Sequence, residues 1–191
     1  IGKVENEIFR DLLMVDVIRG PHSTGIAAQP RHSAPKLFKR ALLPQDLFLM
    51  KPCEQLFSDY GYNKILMGHN RWATSGAINA VNAHPFEMDT LIGAHNGTLR
   101  QQSLLPDHTK FKVDSENIFH SFEMLGVKET VKKLNGAFAL TWFEKKGTHM
   151  NFLRNNERSL YYCFSEDEKT LFYASEDWML EGVLARNKTK H

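Results

Sequence analysis

The sequence predicts an α+β protein in which helices pack against stacked antiparallel sheets. Three observations carry this expectation. An amphipathic helix opens the chain, two compact apolar runs occupy its centre, and strand-like runs separated by turn residues fill the last third. Sheets made this way have apolar faces that must be covered by helices and by one another. A length of 191 residues suits one domain, taken here as residues 1–191, with a single core.

In order along the chain, Val4, Ile8, Leu12 and Val15 recur at helical spacing within 4–18, and Phe9 and Leu13 widen that face. Arg19-Gly20-Pro21 ends the helix. Gly25-Ile26-Ala27-Ala28 reads as a short strand, and residues 30–35 as an exposed turn. Within 36–64 a strand is expected near Leu37-Phe38 and a helix inside 45–59. Ile65-Leu66-Met67-Gly68 and Leu91-Ile92-Gly93-Ala94 are apolar runs, each followed at once by a polar cluster. That pattern sets reactive side chains just beyond the ends of buried strands. Asp114-Ser115-Glu116 starts a helix whose Ile118, Phe119, Phe122 and Leu125 share a face, and Gly126 closes it. A second helix over 127–135, capped by Gly136, leads into strands at 137–143, 149–153, 160–164 and 171–174. A last helical piece runs from Asp177 to Leu184.

Composition removes several classes of function. A formal net charge of +2, with basic and acidic residues interleaved, gives no reason to expect nucleic acid. No stretch approaches the roughly 20 apolar residues of a membrane helix, and no signal peptide opens the chain. Cys53 and Cys163 are too few for a disulfide framework, so both are expected as small core residues of a cytoplasmic protein. Nine histidines raise the possibility of a metal hydrolase, but no pair has the ligand spacing of a zinc motif. Neither metal nor cofactor is expected.

Three polar clusters stand out: Gly68 to Gly76, Ala94-His95-Asn96-Gly97-Thr98, and Asp114-Ser115-Glu116. Singly, each has a bland reading: a polar strand end, a His-Asn-Gly hairpin turn, a helix cap. Together they supply the parts needed to bind an amino acid and act on its amide. A guanidinium clamps an α-carboxylate, and a carboxylate holds an α-ammonium. An asparagine amide beside a glycine N–H forms a two-donor oxyanion hole.

At these residues the chain resembles the class II (N-terminal-nucleophile) glutamine amidotransferases. Arg19-Gly20-Pro21-His22-Ser23-Thr24-Gly25-Ile26-Ala27 is similar to that family's first strand segment, and Gly68 to Gly76 to its glycine-histidine-x-arginine-tryptophan-alanine-threonine loop. Asn82-Ala83-His84-Pro85-Phe86, His95-Asn96-Gly97 and Asp114-Ser115-Glu116 match its next landmarks in order. Gly136 to Leu140 and Tyr173 to Glu176 resemble its later strands. The resemblance implies a four-layer αββα sandwich and the release of ammonia from glutamine, leaving glutamate. It assigns Arg71 to the α-carboxylate, Asp114 to the α-ammonium, and Asn96 and Gly97 to the oxyanion. Trp72 and Thr74 would shape the pocket, with Arg19, His84 and His95 in support. The family's nucleophile is an N-terminal cysteine whose own α-amine is the base; with Ile1 first in this sequence, it is expected a handful of residues upstream. Neither Cys53 nor Cys163 has a free α-amine to replace it, so residues 1–191 alone should be inactive.

Ser75 stands where glucosamine-phosphate synthases carry histidine, and His22 where they carry an acid. The expected partners are glutamine and a fused or separate acceptor domain, with oligomers allowed. The Arg19 to Ala27 segment is similar to stand-alone bacteriophage versions. The alternative expectation is a catalytically inactive glutamine-binding or partner-docking module of the same fold.

Overall fold

The computed structural model describes residues 1–57 and 63–190. Its chain order is α1 (Lys3–Asp16), β1 (Ser23–Pro30), β2 (Lys36–Arg40), α2 (Pro44–Phe48), α3 (Lys51–Phe57), β3 (Asn63–Arg71), β4 (Phe86–Glu87) and β5 (Leu91–Leu99). Then follow α4 (Asp114–Leu125), α5 (Val127–Val131), β6 (Gly136–Glu144), β7 (Met150–Arg154), β8 (Tyr161–Phe164), β9 (Leu171–Ala174) and α6 (Asp177–Arg186). Every strand pair is antiparallel. One sheet runs β2-β1-β3, a second β4-β5-β6-β7, and β8-β9 form a separate ribbon.

The side-chain alternation of the strands builds the layers. On β1 and β3, Ile26, Ala28 and Leu66 point outward, where Leu13 of α1 and Leu47, Phe48, Leu56 and Phe57 of α2 and α3 cover them. Their neighbours Ala27, Ile65 and Met67 point the other way and meet Ile92, Ala94 and Phe143 of the second sheet. The far face of that sheet, with Leu91, Leu99, Phe138, Leu140 and Trp142, packs on Ile118, Phe119 and Phe122 of α4. Gly93 makes the last contact possible, since a Cβ there would lie 2.3 Å from the Phe119 ring. The result is the expected αββα sandwich. α6 adds Leu180, Val183 and Leu184 to Ile8 of α1 and Phe172 of β9. Among the described residues no helix is long and apolar enough to cross a membrane.

Several local expectations are corrected. Val4 is exposed, and the buried face of α1 is centred on Ile8 and Leu13. The first strand spans eight residues, not four. The helix expected in 45–59 is two short helices, because the chain bends at Leu49-Met50; positions 58–59 lie outside the described residues. Leu125 is exposed at the end of α4. The helix over 127–135 stops at Val131, and Gly136 begins β6 rather than capping a helix. The polar clusters lie beyond the strands only in part: Trp72 to Gly76 follow β3, but Arg71 is its last residue, and His95-Asn96-Gly97 lie inside β5, not in a hairpin turn. Cys53 is buried as expected, whereas Cys163 is only half-buried.

Candidate active site

The gap between the sheets changes character along its length. Beyond Met67 the inward positions of β3 are His69 and Arg71, and on β5 Ala94 is followed by Asn96. Here the sandwich opens into a cavity of about 380 Å3 lined by Arg71, Trp72, Thr74, Asn96, Gly97 and Asp114, among others. His69 joins the two sheets at its floor, its Nε2 lying 3.1 Å from the carbonyl oxygen of His95.

Arg71 is 3% exposed. It donates from Nη1 to Ala77 O (3.2 Å) and from Nη2 to Ser75 O, so the loop after β3 folds around its guanidinium. Burial pulls its pKa down and the nearby Asp114 carboxylate opposes this. Asp114 is the first residue of α4 and is 8% exposed. Its Oδ2 accepts Leu99 N–H (2.7 Å), and its Oδ1 accepts the main-chain N–H of Ser115 (2.8 Å). A carboxylate at a helix N-terminus is held by the dipole and by free N–H groups. Arg71 from the end of β3 and Asp114 from the start of α4 therefore face one cavity in fixed positions.

Asn96 makes no side-chain hydrogen bond to another described residue, leaving its amide available to a ligand. Gly97 has φ 153°, and a Cβ on it would lie 2.0 Å from Ala137 O and 2.6 Å from His95 Nε2. Only glycine fits. Phe138, paired opposite Gly97, meets Asn155 with its N–H (3.3 Å) and its C=O (3.0 Å). Gly97 thus stands in a non-hydrogen-bonded pair, and its N–H faces the open edge of β5 beyond β4. An amide N–H and a main-chain N–H side by side are the donors an oxyanion needs.

The expected supporting residues have different surroundings. His95 is buried, with Nδ1 2.9 Å from Ser115 Oγ and Nε2 3.3 Å from Ala137 O. Its pKa is lowered by burial, and the neutral ring donates from Nε2 while Nδ1 accepts. It thereby braces the Ser115-Asp114 helix start. His84 stacks on His69 at 4.2 Å, and neither of its ring nitrogens has a partner among the described residues. Burial lowers His69 to about 3 and His84 well below its ordinary value. Arg19 pairs with Glu176 at the β9–α6 junction and lines the same cavity. Trp72 is 58% exposed at the rim.

Sequence reasoning missed two groups beside the site. Lys39, on β2, donates to Val81 O (3.2 Å), Ala83 O (2.5 Å) and Pro85 O (3.0 Å), clipping the loop that carries His84. Burial lowers its pKa to about 8. Asp16, at the end of α1, lines the cavity, and burial raises it to about 7 against the pull of Arg19 and Asn70. No local pattern marks either residue, because Lys39's acceptors lie at 81–85 and Asp16 is buried against Asn70 and Ser175 from distant segments, with only Arg19 nearby in sequence. The cysteines sit elsewhere: burial pushes the Cys53 thiol up to about 11 among the α2–α3 contacts, and Cys163 is also raised by burial.

An αββα sandwich with a polar pocket at one end of its paired sheets is thus the frame of the candidate site. Comparison with known proteins supplies the family. A family described as "Glutamine amidotransferase domain" matches residues 85–182, just over half the chain. A glutamine–fructose-6-phosphate aminotransferase from Campylobacter jejuni is 34% identical over 115 residues, covering 52% of this chain and 19% of that protein. An amidophosphoribosyltransferase from Methanocaldococcus jannaschii is 27% identical over 182 residues, covering 85% of this chain and 37% of that protein. Among solved structures, an allosteric regulatory enzyme of purine biosynthesis superposes with a TM-score of 0.73 at 21% identity, over 98% of this chain and 41% of that one. The chain thus spans well under half the length of these relatives. It belongs to the glutamine amidotransferase domain family, in its class II, N-terminal-nucleophile branch.

Proposed function

We propose that this domain binds free glutamine and hydrolyses its side-chain amide to glutamate and ammonia, which passes to an acceptor domain or partner. The carrying observation is the convergence of Arg71, Asp114 and the Asn96–Gly97 donor pair on one cavity. Arg71 takes the α-carboxylate and Asp114 the α-ammonium, so the amide is delivered toward Asn96 and Gly97. Trp72 and Thr74 close the sides.

The nucleophile in this reading is a cysteine thiolate at a chain terminus upstream of Ile1. It attacks the amide carbon, and the resulting oxyanion is held by the Asn96 amide and the Gly97 N–H. Collapse breaks the C–N bond, and the departing nitrogen takes a proton and leaves as ammonia. Water then cleaves the thioester, giving glutamate and restoring the thiol. The terminal α-amine is the base, suited by an ordinary pKa of about 7.7–8.

Two features support an approach from this side. β3 is paired on one edge only among the described residues, and the main-chain nitrogen of Ile1 donates to Asn63 O (3.0 Å) at the start of β3. A strand entering antiparallel to β3 from the Arg71 end would reach Ile1 after roughly nine residues, at about 3.3 Å each. A reducing cytoplasmic setting belongs to the same proposal, since the thiol must stay free.

The test is glutamate and ammonia release by the full-length natural protein, with its first residue fixed by mass spectrometry. Stoichiometric release that is abolished by replacing an N-terminal cysteine with alanine is expected. Glutamine binding without release would turn the reading to a binding module.

A further inference from the structure

At the mouth of the cavity, β3 leaves its sheet between Arg71 and Ala73, and one residue of β1's approach holds both sides of that departure. The β1–β3 ladder ends at the Ser23–Arg71 pair. His22 extends it by one step with its main chain, donating its N–H to Arg71 O (3.1 Å). Its side chain then adds a further rung: Ala73 N–H donates to His22 Nδ1 (2.9 Å). The same ring lies 5.3 Å from the Trp72 ring, tilted by 49°. His22 thus brackets Trp72 from both flanks, and Trp72 and Arg71 both line the cavity.

The geometry needs an acceptor at the Nδ1 position. Nδ1 accepts, so the proton of the neutral imidazole is on Nε2. With no acceptor at position 22, Ala73 N–H would have no side-chain partner where the strand ends. Farther on, the loop is held independently, by Arg71 on Ser75 O and Ala77 O and by Lys39 on Val81, Ala83 and Pro85. Loss of the His22 contact should therefore loosen the stretch 72–74 while leaving the rest of the loop anchored.

We infer that His22 is a positioning residue for the substrate pocket, setting Trp72 and the main chain beside Arg71 through its Ala73 bond. This rests on the glutamine reading for its ligand but not for its geometry. His22 touches no reacting atom, so it acts on substrate affinity and not on the chemical step.

Two variants separate its two contacts. His22→Asn puts an amide oxygen near the Nδ1 position, keeping the acceptor and losing the ring. His22→Phe keeps a ring against Trp72 and loses the acceptor. The readouts on the full-length protein are amide hydrogen exchange at Ala73 and calorimetric titration with glutamine. Exchange at Ala73 should speed up in His22→Phe and stay near wild type in His22→Asn. Glutamine affinity should fall about five- to tenfold in His22→Phe, the net worth of one half-buried hydrogen bond, and within about threefold in His22→Asn. Steady-state KM should rise in parallel with kcat unchanged. Unaltered Ala73 exchange in His22→Phe would overturn the inference, as would equal loss of affinity in both variants. If wild type binds no glutamine, the ligand assignment fails, while Ala73 exchange still decides whether His22 holds the loop.

Discussion

The space between the two sheets is built from the same strands throughout, yet its two ends do opposite work. At one end Ala27, Ile65, Met67, Ile92, Ala94 and Phe143 make a dry contact, with Met67, Ile92 and Phe143 fully buried. At the other, the next inward positions on β3 are His69 and Arg71, and on β5 Asn96. Burial of large apolar groups stabilises by roughly 1.5–3 kcal/mol each. Burial of His69, His84 and Arg71 works against stability, as their downward pKa shifts record. One end supplies stability to a rigid sheet pair, and the other uses that rigidity to hold groups that would otherwise seek water.

The comparison predicts that substitutions at the two ends separate cleanly. The largest effect should come from Asn96→Ala at the polar end: kcat for glutamine hydrolysis falls by roughly a hundredfold or more, the usual loss for one oxyanion donor, with the melting temperature little changed. An undiminished rate would remove Asn96 from the oxyanion site. Arg71→Ala should weaken glutamine binding by roughly tenfold to a hundredfold, the loss expected for a hydrogen bond to a charged group. Normal affinity in that variant would sink the carboxylate assignment. Met67→Ala at the dry end should destabilise by about 2–4 kcal/mol in denaturant titration while the folded fraction keeps its kcat. A selective loss of rate there would show that the two ends are not independent.

Legibility in the sequence follows the same division. The dry end was readable from apolar runs at 65–68 and 91–94, because buried strands announce themselves as continuous hydrophobic segments. Arg71, Asn96 and Gly97 were readable as polar clusters attached to those runs, and Asp114 as a helix start, although the location of the first three inside the strands was not. A period-2 pattern carries no signal where inward positions turn polar, so the strands look as if they end early. Lys39 and Asp16 left no trace, since the burial of each is made by segments far along the chain. The split of the 45–59 helix did leave a signal, since Pro52 falls in the first turn of α3, where proline is tolerated, and would interrupt a single helix.

Acid should distinguish the ends as well. Unfolded histidines protonate near pH 6.5, whereas His69 in the fold resists until about 3. Between those values the unfolded state binds more protons, so stability is full above about 6.5 and declines as pH falls toward 3. Replacing His84, lowered in the same direction, with phenylalanine should flatten part of this slope in acid-denaturation curves. Asp16 has the opposite sign: its carboxyl is raised from 3.8 to about 7, so the fold binds the extra proton and stability falls as pH rises across that interval. Asp16→Asn should therefore stabilise at pH 8 by about 1–2 kcal/mol and do little at pH 4, the smallest of these effects.

The central claim is that the polar end reads both charged groups of glutamine, and it can be tested without turnover. Calorimetry would compare glutamine with its α-carboxamide and N-acetyl derivatives, against wild type, Arg71→Ala and Asp114→Asn. The account predicts that wild type rejects both derivatives, that Arg71→Ala no longer distinguishes glutamine from the α-carboxamide, and that Asp114→Asn no longer distinguishes it from the N-acetyl form. Equal binding of all three ligands to wild type would contradict it.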